Sequence, residues 1–167
     1  MFAALPLDQL EEASGELHRR AASALRRIGE GRADDPDADG MSPRRRIAAL
    51  AASTELACVT LAALGAGEAV PPSRSDRLPS AIAAVMYGAP TIDGLLVRVE
   101  QDRRMLASLA RQLESRLDEP ASTAWGDGGV RRLLVELAIA APARCAQALE
   151  TVVAALEEAA RAAAEES

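Results

Sequence analysis

Apolar stretches with a helical period run through most of this 167-residue sequence. In the first of them, Leu10, Leu17, Ala21, Leu25 and Ile28 recur at spacings that place them on one face of an α-helix. No stretch alternates apolar and polar residues with the period of two that is typical of half-buried strands. The sequence therefore predicts an all-α fold without strands.

Caps, glycines and prolines indicate where the helices begin and end. Ser42 followed by Pro43 predicts the start of a helix, and Gly65 predicts its end. Pro142 lies inside the last helical stretch and predicts a kink there. The patterns predict helices at about residues 7–29, 42–64, 78–87, 92–117 and 130–164.

These elements predict a single domain over residues 1–167, built as an all-α up-and-down bundle of about five helices. The acidic segment at about 29–41 is expected to be a solvated loop, and 118–129 a second loop. The end of the chain, about 155–167, is expected to extend past the bundle as a helix.

Composition argues against two classes of partner. All 19 basic residues are arginine, which we attribute to mutational bias, and the net charge of −6 argues against nucleic-acid binding. The most apolar stretch, Ile47–Ala66, contains Ser53, Thr54, Glu55 and Thr60, so we interpret it as a core helix and not as a membrane span. The N-terminus lacks the basic region of a signal peptide, and we expect a cytoplasmic protein.

The sequence predicts no metal and no cofactor. Cys58 and Cys145 lie in helical stretches without metal-ligand spacing and are expected to be small buried hydrophobic residues. His18 is the only histidine and is expected at the surface. No Glu-x-x-His motif and no His/Cys cluster supports a di-iron or zinc site.

Two acidic residues are candidate catalytic groups. Asp102 lies on the apolar stripe of its helix, three residues after Val99 and four before Leu106, where desolvation raises a carboxyl pKa and suits proton transfer. Its alternative role is an ion pair with Arg98 or Arg103 at the edge of the stripe. Glu55 lies among alanines in the core helix, where it is either an enclosed acid or half of a structural ion pair.

The segment AWGDGGVRRLL, residues 124–134, is the candidate ligand-binding segment. It matches neither a phosphate-binding loop nor a nucleophile elbow. Asp127 is expected to cap the last helix, while Gly128, Gly129 and Arg131 leave room and charge for an anion at the helix start.

Three consecutive arginines open the second predicted helix, and Arg46 is the last of them. Positive charge is unfavourable at a helix N-terminus. These side chains are therefore either solvated, paired with the acidic segment just before them, or part of an anion site.

Several segments in succession resemble the cyclodeaminase and methenyltetrahydrofolate cyclohydrolase family. They are RRRIAALAASTELACVTLAAL, RLPSAIAAVMYGAPTIDGLL and GDGGVRRLLVELAIAAPARCAQAL. The family's Ser-Asp-x-Gly-Val helix start is matched by Asp127, Gly129 and Val130. Its acidic position in the core helix falls near Ser53 or Thr54, with Glu55 adjacent.

The resemblance implies a dimeric helical bundle that acts on a tetrahydrofolate-type one-carbon substrate. Glu55 or Asp102 would then act as the general acid and base, with Asp127 near the site. The sequence leaves open whether the chain is an enzyme, because the family's catalytic acid is displaced. The alternative is a non-catalytic helical module that oligomerises or docks a protein partner. The small core also favours a homodimer.

Overall fold

A computed structural model describes residues 5–165 and confirms the all-α bundle of about five helices. The last helical stretch runs from Val130 to Glu165 as one helix, which contains a π turn at Glu136–Ala140. In chain order the helices are α1 (Leu7–Ile28), α2 (Pro43–Ala66), α3 (Pro79–Gly88), α4 (Ile92–Gln112), α5 (Val130–Val135) and α6 (Ala141–Glu165).

Ion pairs between the helices show in which direction each helix runs relative to its neighbours. Arg20 on α1 pairs with Glu150 on α6. Two turns further along both helices, Arg27 pairs with Glu157, so α1 and α6 run parallel.

Helices α2 and α4 also run parallel, because Glu55 pairs with Arg98 and the Cys58 thiol lies 3.9 Å from the carbonyl oxygen of Asp102. The short α3 reverses the chain between them, and its axis makes an angle of 112° with that of α4. Helix α4 is antiparallel to α1, since Arg26 near the end of α1 pairs with Asp93 at the start of α4, and Glu11 near the start of α1 pairs with Arg111 near the end of α4. The long helices therefore run up, down, down and up.

Helix α2 has the central position that its composition predicts. It packs against α1, α3, α4 and α6, and its buried residues lie all around the helix. The buried hydroxyls of Thr54 and Thr60 donate to carbonyl oxygens of the preceding turn, each at 2.9 Å. By length and hydropathy alone α2 and Val130–Glu165 qualify as membrane spans, but in this fold α2 is a core helix.

The prediction of no strands is wrong for one segment. Strand β1 (Pro120–Thr123) pairs antiparallel with strand β2 (Gly126–Gly129) in a two-stranded hairpin. Its residues are small or polar and neither face is buried, so the sequence has no apolar alternation there to reveal it.

The predicted irregularity at Pro142 takes the form of the π turn that precedes it. Proline lacks the N–H that would continue the α-helical ladder. The wider π turn absorbs this loss, and Pro142 remains buried in the helix that follows.

Candidate functional site

The structure brings the two predicted acids into one groove. Glu55 on α2 and Asp102 on α4 both line an open cavity of about 820 Å³ between the two helices. Cys58, Val97 and Met105 also line it, and we call it the α2–α4 groove.

The two carboxylates of this groove differ in their partners. Glu55 accepts a hydrogen bond from Arg98 at 2.6 Å. No described residue donates to Asp102, and its Oδ2 atom is shielded from solvent. Burial, and then the charge of Glu55, raise the pKa of Asp102 to about 6, although Arg98 opposes the shift.

Neither cysteine is a reactive thiol. Burial is the main cause that raises the pKa of Cys58 and of Cys145 to about 12. At neutral pH both side chains are thiols and not thiolates, as expected for buried hydrophobic cysteines.

The expectation for Asp127 as a helix cap is wrong. Asp127 lies in β2 opposite Ser122, and Gly129 occupies the N-cap of α5 without a side-chain hydrogen bond. The hairpin takes up the residues that would have formed the cap. A Cβ atom on Gly128 would lie 2.8 Å from Cδ of Arg132, so glycine lets the arginine side chain lie against the hairpin.

The other predicted anion ligands are held by protein groups. Arg131 donates to Asp118 at 3.0 Å and to the Leu5 carbonyl oxygen at 2.8 Å. Arg46 pairs with Asp37 and Asp39 of the acidic segment. The pairing alternative therefore describes the placement of Arg46 in this structure.

His18 is buried, contrary to the expectation of a surface position. Only 8% of the residue is exposed, and its Nδ1 atom lies 2.8 Å from the Ser14 carbonyl oxygen. Burial lowers the pKa of His18, which favours the neutral ring. Among residues 5–165, no group of three or more His, Cys, Asp and Glu side chains could hold a metal ion.

A second cavity lies between the hairpin and the turn before α3. Gly128 and Gly129 of the candidate ligand-binding segment line it, whereas the sequence does not predict the part that the turn contributes. The volume of the cavity is about 460 Å³, and we call it the arginine cavity. Its wall includes the side chains of Arg74, Arg77, Trp125, Arg132 and Glu136.

A buried carboxylate organises one wall of the arginine cavity. Asp76 is 4% exposed and accepts hydrogen bonds from Arg74 at 2.6 and 2.8 Å. The Ser53 hydroxyl, on α2, donates to it at 2.5 Å. These bonds hold the Arg74 guanidinium 4.6 Å from the centre of the Trp125 ring, within cation–π distance.

The charge of the arginine cavity is positive. Asp76 neutralises Arg74, and Arg144 neutralises Glu136. Arg132 donates to the carbonyl oxygen of Asp127, at 2.6 Å. Within the described chain no carboxylate pairs with Arg77 or Arg132, so two positive charges remain available to a ligand.

Three of these residues carry only a weak sequence signal. Arg74, Asp76 and Arg77 lie in the segment PPSRSDR, for which the sequence predicts only a loop. Trp125 lies in the candidate ligand-binding segment, but no local pattern predicts that it meets the segment before α3.

The comparisons with known proteins give one similarity, in the fold. No family model matches the chain, and no curated protein matches it. A solved structure of a mycothiol-dependent maleylpyruvate isomerase, in a histidine-to-alanine mutant, has a TM-score of 0.65 at 20% identity. The match covers 83% of this chain and 58% of the isomerase chain, so this chain spans little more than half of its length.

This similarity corrects the predicted family. The fold is that of the isomerase, and the predicted membership of the folate cyclodeaminase and cyclohydrolase family is wrong, as is the folate function that followed from it. Alanine-rich helices align readily with unrelated ones, because few large side chains fix the register. The alternative of a partner-docking module gains no support from the comparison.

Proposed function

We propose that this protein is a cytoplasmic small-molecule enzyme that binds a doubly charged organic acid in the arginine cavity and isomerises it with the help of an external thiol. The observation that carries the proposal is the pair of uncompensated arginines, Arg77 and Arg132, on the wall of a cavity beside Trp125. The fold similarity to an enzyme named for maleylpyruvate, an unsaturated organic acid, supports the same class of ligand.

The chemistry of the cavity fits a carboxylate ligand. Guanidinium groups form charge-assisted hydrogen bonds to carboxylates, and two of them without acidic partners match a dianion. The indole ring offers an apolar surface for the carbon chain. A volume of about 460 Å³ lies in the range of small-molecule sites.

The buried cysteines favour an external thiol. A thiol can isomerise an activated double bond, because its reversible addition gives a single bond that rotates. Cys58 and Cys145 do not supply it, since burial keeps both protonated at neutral pH. The fold neighbour is named as mycothiol-dependent, and mycothiol is therefore the first thiol to test.

The experiment uses maleate, the simplest unsaturated cis-dicarboxylate. Calorimetric titration should show maleate binding to the full chain, weakened at least about tenfold in Arg132→Met, the loss expected for one charge-assisted hydrogen bond. Arg45→Met, which removes an exposed arginine outside the cavity, is the matched control and should leave binding unchanged.

The same samples test the reaction. Proton NMR should show conversion of maleate to fumarate that depends on both the protein and added mycothiol, and that Arg132→Met slows. Equal binding in the Arg132 and Arg45 variants would contradict the proposed site. Binding without thiol-dependent conversion would leave the anion site standing and overturn the isomerase activity.

The homodimer that the small core predicts remains a prediction. Sedimentation velocity at micromolar concentration measures it directly.

A further inference from the structure

The α2–α4 groove exposes more apolar surface than a solvated helix face requires. Val59, Val97 and Met105 are 56%, 57% and 55% exposed, and all three line it. They account for three of the five large hydrophobic residues that are exposed in the described part of the chain. Because all three line one groove, they are not the singly scattered surface hydrophobic residues that need no explanation.

The charges of the groove do not balance. Its charged side chains are Glu55, Arg98 and Asp102, and Cys58 is the remaining titratable group. Arg98 is engaged by Glu55, and among the described residues no arginine forms an ion pair with Asp102 and no group donates a hydrogen bond to it. A half-buried carboxylate in apolar surroundings is unfavourable unless a partner supplies positive charge.

The α2–α4 groove differs from the arginine cavity in its lining residues and in its charge. The two share no lining residue. One presents unpaired guanidinium groups, whereas the other presents an unpaired carboxylate between aliphatic side chains. A ligand suited to one is repelled by the charge of the other.

We propose that the α2–α4 groove binds a small aliphatic amine, with its ammonium group paired to Asp102 and its hydrocarbon chain against Val59, Val97 and Met105. The volume of about 820 Å³ accommodates a molecule of this size. The ammonium group completes the charge balance of the groove, and the hydrocarbon chain covers its exposed apolar side chains. This site is additional to the proposed anion site and does not depend on it.

The probe is n-octylammonium, compared with n-octanol and n-octanoate, each titrated into the full chain by calorimetry below its micellar concentration. The groove should bind octylammonium most tightly and octanoate least. Asp102→Asn should weaken octylammonium binding at least about tenfold while leaving octanol binding unchanged. Glu158→Gln, an exposed acidic residue on α6, is the control and should change neither.

A second variant tests the place of binding without touching charge. Ala62→Phe fills the groove from α2 and should abolish binding of both octylammonium and octanol. Equal affinity of octanoate and octylammonium, or unchanged binding in Asp102→Asn, overturns the proposal. The protein could instead bind no amine and form a dimer that Val97→Glu dissociates. That result would assign this face to contact between copies of the chain and would also overturn the proposal.

Discussion

The α2–α4 groove and the arginine cavity show two ways in which one helical bundle builds a site. The groove lies between two long parallel helices, and its charged groups sit at regular helical positions. The arginine cavity is built from the turn before α3 and, far from it in sequence, from the hairpin and the helix start that follows the hairpin. Its key carboxylate is buried and accepts three hydrogen bonds, whereas the Asp102 carboxylate of the groove has no donor among residues 5–165. The difference predicts opposite responses to removal of each carboxylate.

The largest expected effect is in the arginine cavity. Asp76→Ala removes a carboxylate that accepts three hydrogen bonds and leaves Arg74 without a partner, so we expect a loss of about 3 kcal/mol in the free energy of unfolding, measured by urea denaturation. The control is Asp118→Ala, which removes an exposed carboxylate that also pairs with an arginine and should change stability little. If both variants lost the same free energy of unfolding, the buried Asp76 would contribute no more to stability than an exposed carboxylate, contrary to the account.

Acid should weaken the same cluster. Burial raises the pKa of Asp76, but hydrogen bonds from Arg74 and Ser53 outweigh it and hold the pKa below its ordinary value. The stabilisation is therefore present above the unfolded pKa of about 4 and is lost as the pH falls through the folded value. Urea titrations below pH 4 should therefore show that the free energy of unfolding falls less with decreasing pH in Asp76→Ala than in the native chain.

A smaller effect of opposite sign is expected in the groove. The folded pKa of Asp102, about 6, lies above its unfolded value, so its contribution to stability is present below pH 4 and is lost as the pH rises through 6. Asp102→Asn should therefore stabilise the protein at pH 7 by about 1 kcal/mol, after discounting for its partial exposure, and by nothing at pH 4. Destabilisation at pH 7 would contradict the unfavourable burial of the Asp102 carboxylate.

The smallest expected effect is that of the Glu55 charge on the pKa of Asp102 in the α2–α4 groove. Glu55→Gln removes the negative charge that helps to raise the pKa of Asp102 and leaves Arg98 free to approach it. The pKa of Asp102, followed by NMR of its side-chain carboxyl carbon, should fall below 6, with a change in stability of about 0.5 kcal/mol or less. An unchanged pKa would show that burial alone sets it.

The same contrast explains what the sequence could predict. Helical periodicity gave the bundle, the central α2 and the positions of Glu55 and Asp102, because regular helices place residues of known spacing on known faces. The link between Ser53, Asp76 and Trp125 depends on tertiary contacts, for which a single sequence has no local signal. The cap assigned to Asp127 failed because the two short strands of the hairpin have no apolar alternation to reveal them. The surface position predicted for His18 is wrong because α1 packs against both α6 and α4, which buries a wider face than the apolar stripe of the sequence.

The central claim is that the arginine cavity binds an organic dianion, and Trp125 allows it to be measured directly. Trp125 is the only tryptophan of the chain and lines the cavity, with Arg74 over its ring. Titration with maleate should change its fluorescence saturably in the native chain, and Arg77→Met combined with Arg132→Met should shift the midpoint to at least about tenfold higher concentration. A response that is absent, or that is the same in the double variant, would contradict the account.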